Sequence, residues 1–112
     1  MIRTLLIIAA ATGVAFGHAA TAAGDAAAGK EKAAQCQQCH GMDGNSPTPL
    51  FPKIGGQHAK YIVQTLVDYK TGARQDPVMA AFATALTKQD QEDLAAWYAS
   101  QTGGLYTIEF NE

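Results

Sequence analysis

A chain of 112 residues with a formal charge of −2 and two cysteines is enough for one domain. Its mildly acidic balance offers no basic face for nucleic acid. Two thiols alone do not make the cysteine framework that staples small secreted folds.

The N-terminus reads as a targeting segment. Arg3 supplies a positive charge, Leu5 to Phe16 an apolar run, and Ala20-Thr21-Ala22 a small-residue cleavage pattern. Residues 1–23 are therefore expected to be a secretory signal peptide cut near Ala22-Ala23, which places the protein in the periplasm. The apolar run falls short of the roughly 20 residues of a transmembrane helix, so no stable membrane insertion is expected after cleavage. The alternative is an uncleaved N-terminal anchor. Loss of Arg3 takes the formal charge to −3. What remains is near the lower limit for an unassisted core, a shortage that a large apolar cofactor at its centre would relieve.

Gly24 to Gln35 predicts the first helix, with Asp25 as N-cap and a run of alanines behind it. Gly29 is the odd member, costing roughly 1 kcal/mol relative to alanine. Either another element crosses closely there or the glycine is merely tolerated.

Cys36-Gln37-Gln38-Cys39-His40 follows, and four chemistries compete for it. A thioredoxin-like dithiol needs a βαβ setting, and no strand precedes the motif. A zinc site needs a fourth ligand; His58 is on offer, but the spacing matches no common zinc pattern. A disulfide would close only a tiny loop and leaves His40 unexplained. A covalently attached haem uses all three residues: each thiol adds across a vinyl group, and the imidazole reaches the iron. The haem reading also fits an exported protein.

From Gly41 to Gly56 glycines and prolines punctuate a long loop, the kind that has a job such as wrapping one edge of a cofactor. A second helix is expected from His58 or Ala59 to Lys70, with Ile62, Leu66 and Tyr69 on one face and Gly72 at its end. Asp76-Pro77 opens a short helix carrying Met79, Phe82 and Leu86. Thr87-Lys88-Gln89-Asp90 resembles a capping box with aspartate in place of glutamate. The helix behind it carries Leu94, Trp97 and Tyr98 and is expected to end at Gly103-Gly104. Residues 105–112 form a tail with strand-like residues and no partner strand.

Attached haem needs a second axial decision, because methionine gives a carrier and an open position gives ligand binding or catalysis. Met42 is two residues from His40 and cannot reach the opposite face of the ring. Met79 is far enough along the chain to approach from the other side. His58 is the remaining candidate, although a helix start is more often exposed.

Cys36-Gln37-Gln38-Cys39-His40-Gly41, Asp43-Gly44-Asn45 and Phe51-Pro52-Lys53-Ile54-Gly55-Gly56-Gln57 together resemble the class I c-type cytochromes. The subgroup is the single-haem kind similar to cytochrome c4 and cytochrome c-553. Tyr61, Gly72-Ala73-Arg74, Met79 and Leu94-Ala95-Ala96-Trp97-Tyr98 continue the match. The resemblance implies an all-α fold: four or so helices wrapped around one covalently bound haem c, with the N- and C-terminal helices crossing, over residues 24–104. It implies thioethers at Cys36 and Cys39, His40 and Met79 as axial iron ligands, and a Pro52 carbonyl that accepts from the His40 ring. Gly29 matches the glycine at the helix crossing, against Trp97 or Tyr98. Arg74 would neutralise a haem propionate or be a solvated loop arginine; Tyr61 would bond near the propionates or belong to the core. The chain departs from many relatives in having Ala33 and Ala34 where the first helix carries an aromatic residue.

The function expected from this is one-electron transfer with no substrate chemistry, so no catalytic residue is expected. The carrier would work between a dehydrogenase or quinol-oxidising complex and a terminal oxidase or reductase. The alternatives are a haem enzyme or sensor with a labile sixth ligand, and a docking subunit inside a larger complex.

Overall fold

The computed structural model describes residues 23–103 and Leu105. Residues 1–22 of the expected signal peptide and all of the tail but Leu105 lie outside the described residues. Five helices and no strand occur among them: α1 (Ala26–Lys32), α2 (Gln37–His40), α3 (Ala59–Thr71), α4 (Pro77–Thr84) and α5 (Lys88–Ala99). No described helix is long and apolar enough to cross a membrane.

Local chemistry sets most of the boundaries. Asp25 caps α1, its carboxylate accepting from the amides of Ala27 and Ala28. Asp76 does the same for α4, accepting from Val78 and Met79, and Pro77 occupies the first turn, where an amide would be unpaired anyway. Thr87 and Asp90 close the expected capping box at α5. Gly72, at φ +82°, ends α3 in the left-handed conformation.

Two boundaries differ from expectation. α1 stops at Lys32 rather than Gln35, because the chain turns over residues 33–36 and restarts as α2. Ala33 is fully buried at that turn, so packing overrides the helix propensity of the alanines. α5 ends at Ala99 rather than at the two glycines. Side chains replace the glycine cap there: Ser100 Oγ and Gln101 Nε2 both donate to the Trp97 carbonyl, at 2.7 and 2.9 Å.

α1 packs across α5, and α3 packs against both α5 and α4. The crossing of α1 and α5 turns on Gly29, since a Cβ there would come 2.9 Å from Trp97 Cβ and closer still to the Asp93 carbonyl. Thus Trp97, not Tyr98, is the residue that meets the glycine. The crossing is also clamped by charge. Lys32 Nζ reaches Asp90 at 2.8 Å and Asp93 at 2.6 Å, and the Asp25 amide donates to Asp93 at 2.8 Å.

The buried apolar core among the described residues is small: Ala33, Ile62, Leu66, Ala83, Leu94, Ala95 and Tyr98. Three of these are alanines. Meanwhile Leu50 is 82% exposed, and Phe51, Tyr61, Val78 and Phe82 are also open. These large apolar side chains come from the 41–56 loop, α3 and α4, none from α1 or α5. The domain therefore leaves uncovered a good deal of apolar surface of the kind folding normally buries.

Candidate haem site

Cys36, Cys39 and His40 sit on one helical turn. Cys36 is the N-cap of α2, and its carbonyl accepts from the amides of Cys39 at 3.3 Å and His40 at 2.9 Å. Positions i, i+3 and i+4 of a helix share a face, so the two sulfurs and the imidazole are presented together. The thiols are not bonded to each other.

The His40 ring is buried and fixed. Its Nδ1 lies 2.7 Å from the Pro52 carbonyl oxygen. A carbonyl only accepts, so Nδ1 carries the proton and Nε2 keeps its lone pair free for a metal. An orienting bond of this kind is what a metal-ligating histidine ordinarily has.

That acceptor is itself held in place. The Gly44 carbonyl accepts from the amides of Ile54 and Gly55 at 2.8 and 3.0 Å, closing the base of the proline loop. Gly44 has φ +78°, and a Cβ on it would meet Gly55 N at 2.6 Å and Tyr98 Cδ1 at 2.8 Å, so only glycine fits. The Gly56 amide donates to the Tyr98 carbonyl at 2.9 Å, and Asn45 Nδ2 donates to the Thr102 carbonyl at 3.0 Å. Asn45 also donates to the Asp43 carboxylate, which holds Asp43 below the usual carboxylate range.

The competing chemistries fit poorly. Burial pushes the Cys36 thiol up, opposite to the lowered value of a redox dithiol. No strand among the described residues supplies a βαβ setting. No cluster of three or more His, Cys, Asp or Glu side chains suited to a metal occurs among the described residues, and His58 is exposed at the N-cap of α3. A large, flat, apolar group with its own metal fits instead: two free sulfurs, an imidazole with a free Nε2, and open aromatic and aliphatic surface.

A profile of the cytochrome c family matches residues 26–102. The chain belongs to the cytochrome c family. It is 46% identical over 101 residues to cytochrome c4 of Pseudomonas aeruginosa, covering 90% of this chain and 48% of that protein. It is 40% identical over 82 residues to cytochrome c-554(548) of Halomonas halodenitrificans, covering 70% and 99%. The crystal structure of reduced recombinant cytochrome c4 from Pseudomonas stutzeri superposes with a TM-score of 0.69 at 43% identity, over 74% of this chain and 48% of that one. The chain spans about half the length of the cytochrome c4 relatives it matches. The architecture is thus the class I cytochrome c fold, and the protein is a c-type cytochrome, a family whose domain carries covalently bound haem c.

The remaining expected residues are placed as follows. Met79 lies in the first turn of α4, its amide bonded to the Asp76 carboxylate at 2.9 Å and its side chain packed half-buried against the core. Arg74 and Tyr61 are brought together. The guanidinium bonds the Tyr61 phenol, holding it below the usual tyrosine range, and lies 5.1 Å from the Tyr69 ring centroid. Tyr61 is exposed rather than part of the core. Arg74 itself is exposed in the turn between α3 and α4.

Two features were missed from sequence. The clamp of Lys32 on Asp90 and Asp93 gives no local signal, since the partners are some 60 positions away. Tyr98 read as part of an apolar stripe, yet its hydroxyl is buried. A tyrosine on the core face of a helix is the one signal available for such a group.

Proposed function

We propose that this chain is a periplasmic single-electron carrier whose haem c is joined to Cys36 and Cys39 and ligated by His40 and Met79. The observation that carries this is the 2.7 Å bond from His40 Nδ1–H to the Pro52 carbonyl, on the same turn that presents both cysteines. When bound, haem iron supplies a one-electron couple. The residues do the rest. Cys36 and Cys39 anchor; His40 is oriented by Pro52, and Met79 is held by the Asp76-capped start of α4. The Arg74–Tyr61 pair offers a cation and a hydroxyl to the haem carboxylates. Open apolar side chains from the loop, α3 and α4 exclude water from the macrocycle.

In this reading residues 1–23 are a cleaved leader, residues 24–104 the haem domain and residues 105–112 an appended tail. The electron donor is a dehydrogenase or quinol-oxidising complex and the acceptor a terminal oxidase or reductase. A second reading is favoured by one relative. The cytochrome subunit of sulfide dehydrogenase of Chlorobaculum tepidum is 35% identical over 65 residues, which supports a docked subunit as the alternative to a free carrier. Purification as a free monomer would count against it.

The test is the absorption spectrum of the exported protein together with acid-acetone extraction. A low-spin ferric spectrum with the weak far-red band of a methionine–iron bond, and haem that resists extraction, supports the carrier. A high-spin spectrum with ready carbon monoxide binding after reduction would sink it in favour of an enzyme or sensor.

A further inference from the structure

Two buried polar atoms lack a hydrogen-bond partner among the described residues: Trp97 Nε1 and the Tyr98 hydroxyl. Tyr98 is the more enclosed, at 1% exposure. Gly44 holds one edge of its ring, and its carbonyl is tied to the Gly56 amide. Water is therefore shut out, and an unbonded buried hydroxyl is costly. Cys36 packs against the core cluster to which Tyr98 belongs, and its thiol is the side chain whose charge and polarity the phenol feels, each perturbing the other.

A free thiol is a weak donor as well as a weak acceptor, so in that state the contact has no fixed direction. Thioether formation removes the sulfur's proton and leaves only lone pairs. The phenol then becomes the sole donor of the pair. Burial pushes the Tyr98 phenol up, so it keeps its proton whichever oxidation state the carrier is in.

We propose that Tyr98 tunes the carrier: its hydroxyl donates to the Cys36 sulfur once that sulfur is a thioether, and the bond favours the reduced state. The physical basis is the direction of the O–H dipole. Its positive end points at a sulfur bonded to the macrocycle, in a dry site where dipoles act strongly, and such bonds are among the levers that set haem potentials. No bond is made or broken and no proton moves. The inference rests on the reading of Cys36 as an attachment point.

The experiment is a redox titration of the holoprotein. Tyr98→Phe keeps the ring and removes the donor. It should shift the equilibrium toward ferric by roughly two- to fivefold, a midpoint lower by about 20–40 mV at 59 mV per tenfold. Replacement of Tyr98 by 3-fluorotyrosine, a stronger donor of nearly the same shape, should raise the midpoint. In a Cys36→Ala background, with attachment through Cys39 alone, Tyr98→Phe should add no shift. A purely structural Tyr98 would change unfolding without moving the midpoint, and an unchanged midpoint in both Tyr98 variants overturns the proposal. A shift that persists without the Cys36 sulfur overturns it too. Wild-type haem that is lost to acid acetone would instead reject the attachment reading, which keeps the two failures distinct.

Discussion

Replacing Gly29 by alanine tests the helix crossing that closes the domain. In an isolated helix the change would stabilise by about 1 kcal/mol, because glycine is the poorer helix former. Here the added Cβ would sit 2.6 Å from the Asp93 carbonyl carbon and 2.9 Å from Trp97 Cβ, with the Asp93 oxygen nearer still. Two of those three atoms are backbone, so no rotamer change relieves the overlap and α1 must move off α5. Overpacking usually costs about 1–3 kcal/mol, and a backbone obstruction belongs at the upper end. Subtracting the propensity gain leaves a net loss of about 2 kcal/mol. For a domain of this size each kcal/mol is worth about 4–8 °C, so Tm should fall by about 8–16 °C. Circular dichroism at a helix wavelength, followed alongside the haem absorbance of the holoprotein, reads both. Gly72→Ala is the control: nothing lies within 4 Å of its Cβ position, so only the φ of +82° opposes it, at about 1–2 kcal/mol. A Gly29→Ala protein that melts several degrees higher than wild type would refute the crossing.

The Lys32 clamp should show in acid. Asp90 and Asp93 are lowered from the usual 3.8 to about 2, in both cases chiefly by the bond from Lys32. Between those values the unfolded chain binds more protons than the folded one, so stability falls as pH falls. The contribution is complete above the ordinary carboxylate value and gone once pH has dropped through about 2. Urea unfolding followed down that range should show a steeper decline in wild type than in Lys32→Met; equal slopes would remove the clamp from the account. Lys32 itself is raised above 10.5, first by Asp90 and then by Asp93, so its part persists to 10.5 and is lost only as pH rises through that higher folded value. Met79→Ala should keep haem attached and open the sixth position, read as high-spin absorbance and new binding of added imidazole. An unaltered low-spin spectrum in that variant would mean that Met79 is the wrong ligand.

What could be read in the sequence was what neighbours in sequence decide. Cys36, Cys39 and His40 need one helical turn to come together, and Asp25, Asp76 and the Thr87–Asp90 box need three or four residues to cap a helix. Gly72 needs only its own φ. Pro52 was expected through the family resemblance rather than through spacing, and the structure brings its carbonyl to the His40 ring across twelve residues. What could not be read depends on distant partners. Ala33 looks like helix and is instead the buried pivot between α1 and α2, because its surroundings, not its propensity, set its place. Gly103 looked like the end of α5 but serves close packing: a Cβ on it would lie 2.8 Å from Asn45 Oδ1 and closer still to the Gly55 carbonyl. The α5 cap passed to Ser100 and Gln101, whose side chains do the work locally.

These long-range contacts form a closed circuit around the proposed iron ligand. The His40 ring is held by Pro52, Pro52 by a loop whose base Gly44 closes, and that loop by Tyr98 and Thr102 at the end of α5. α5 is clamped to α1 through Lys32, and α1 leads through the Ala33 turn into Cys36 and back to His40. No step of that circuit is a free chain end. A ligand held from both directions costs little to keep in place when the charge on the iron changes by one unit, because the supporting bonds need not rearrange. It follows that loosening the circuit far from the haem, at Lys32 or Gly29, should slow electron exchange as well as lower stability. A Lys32→Met protein with lower stability and an unchanged self-exchange rate would separate the two effects and confine the clamp to folding.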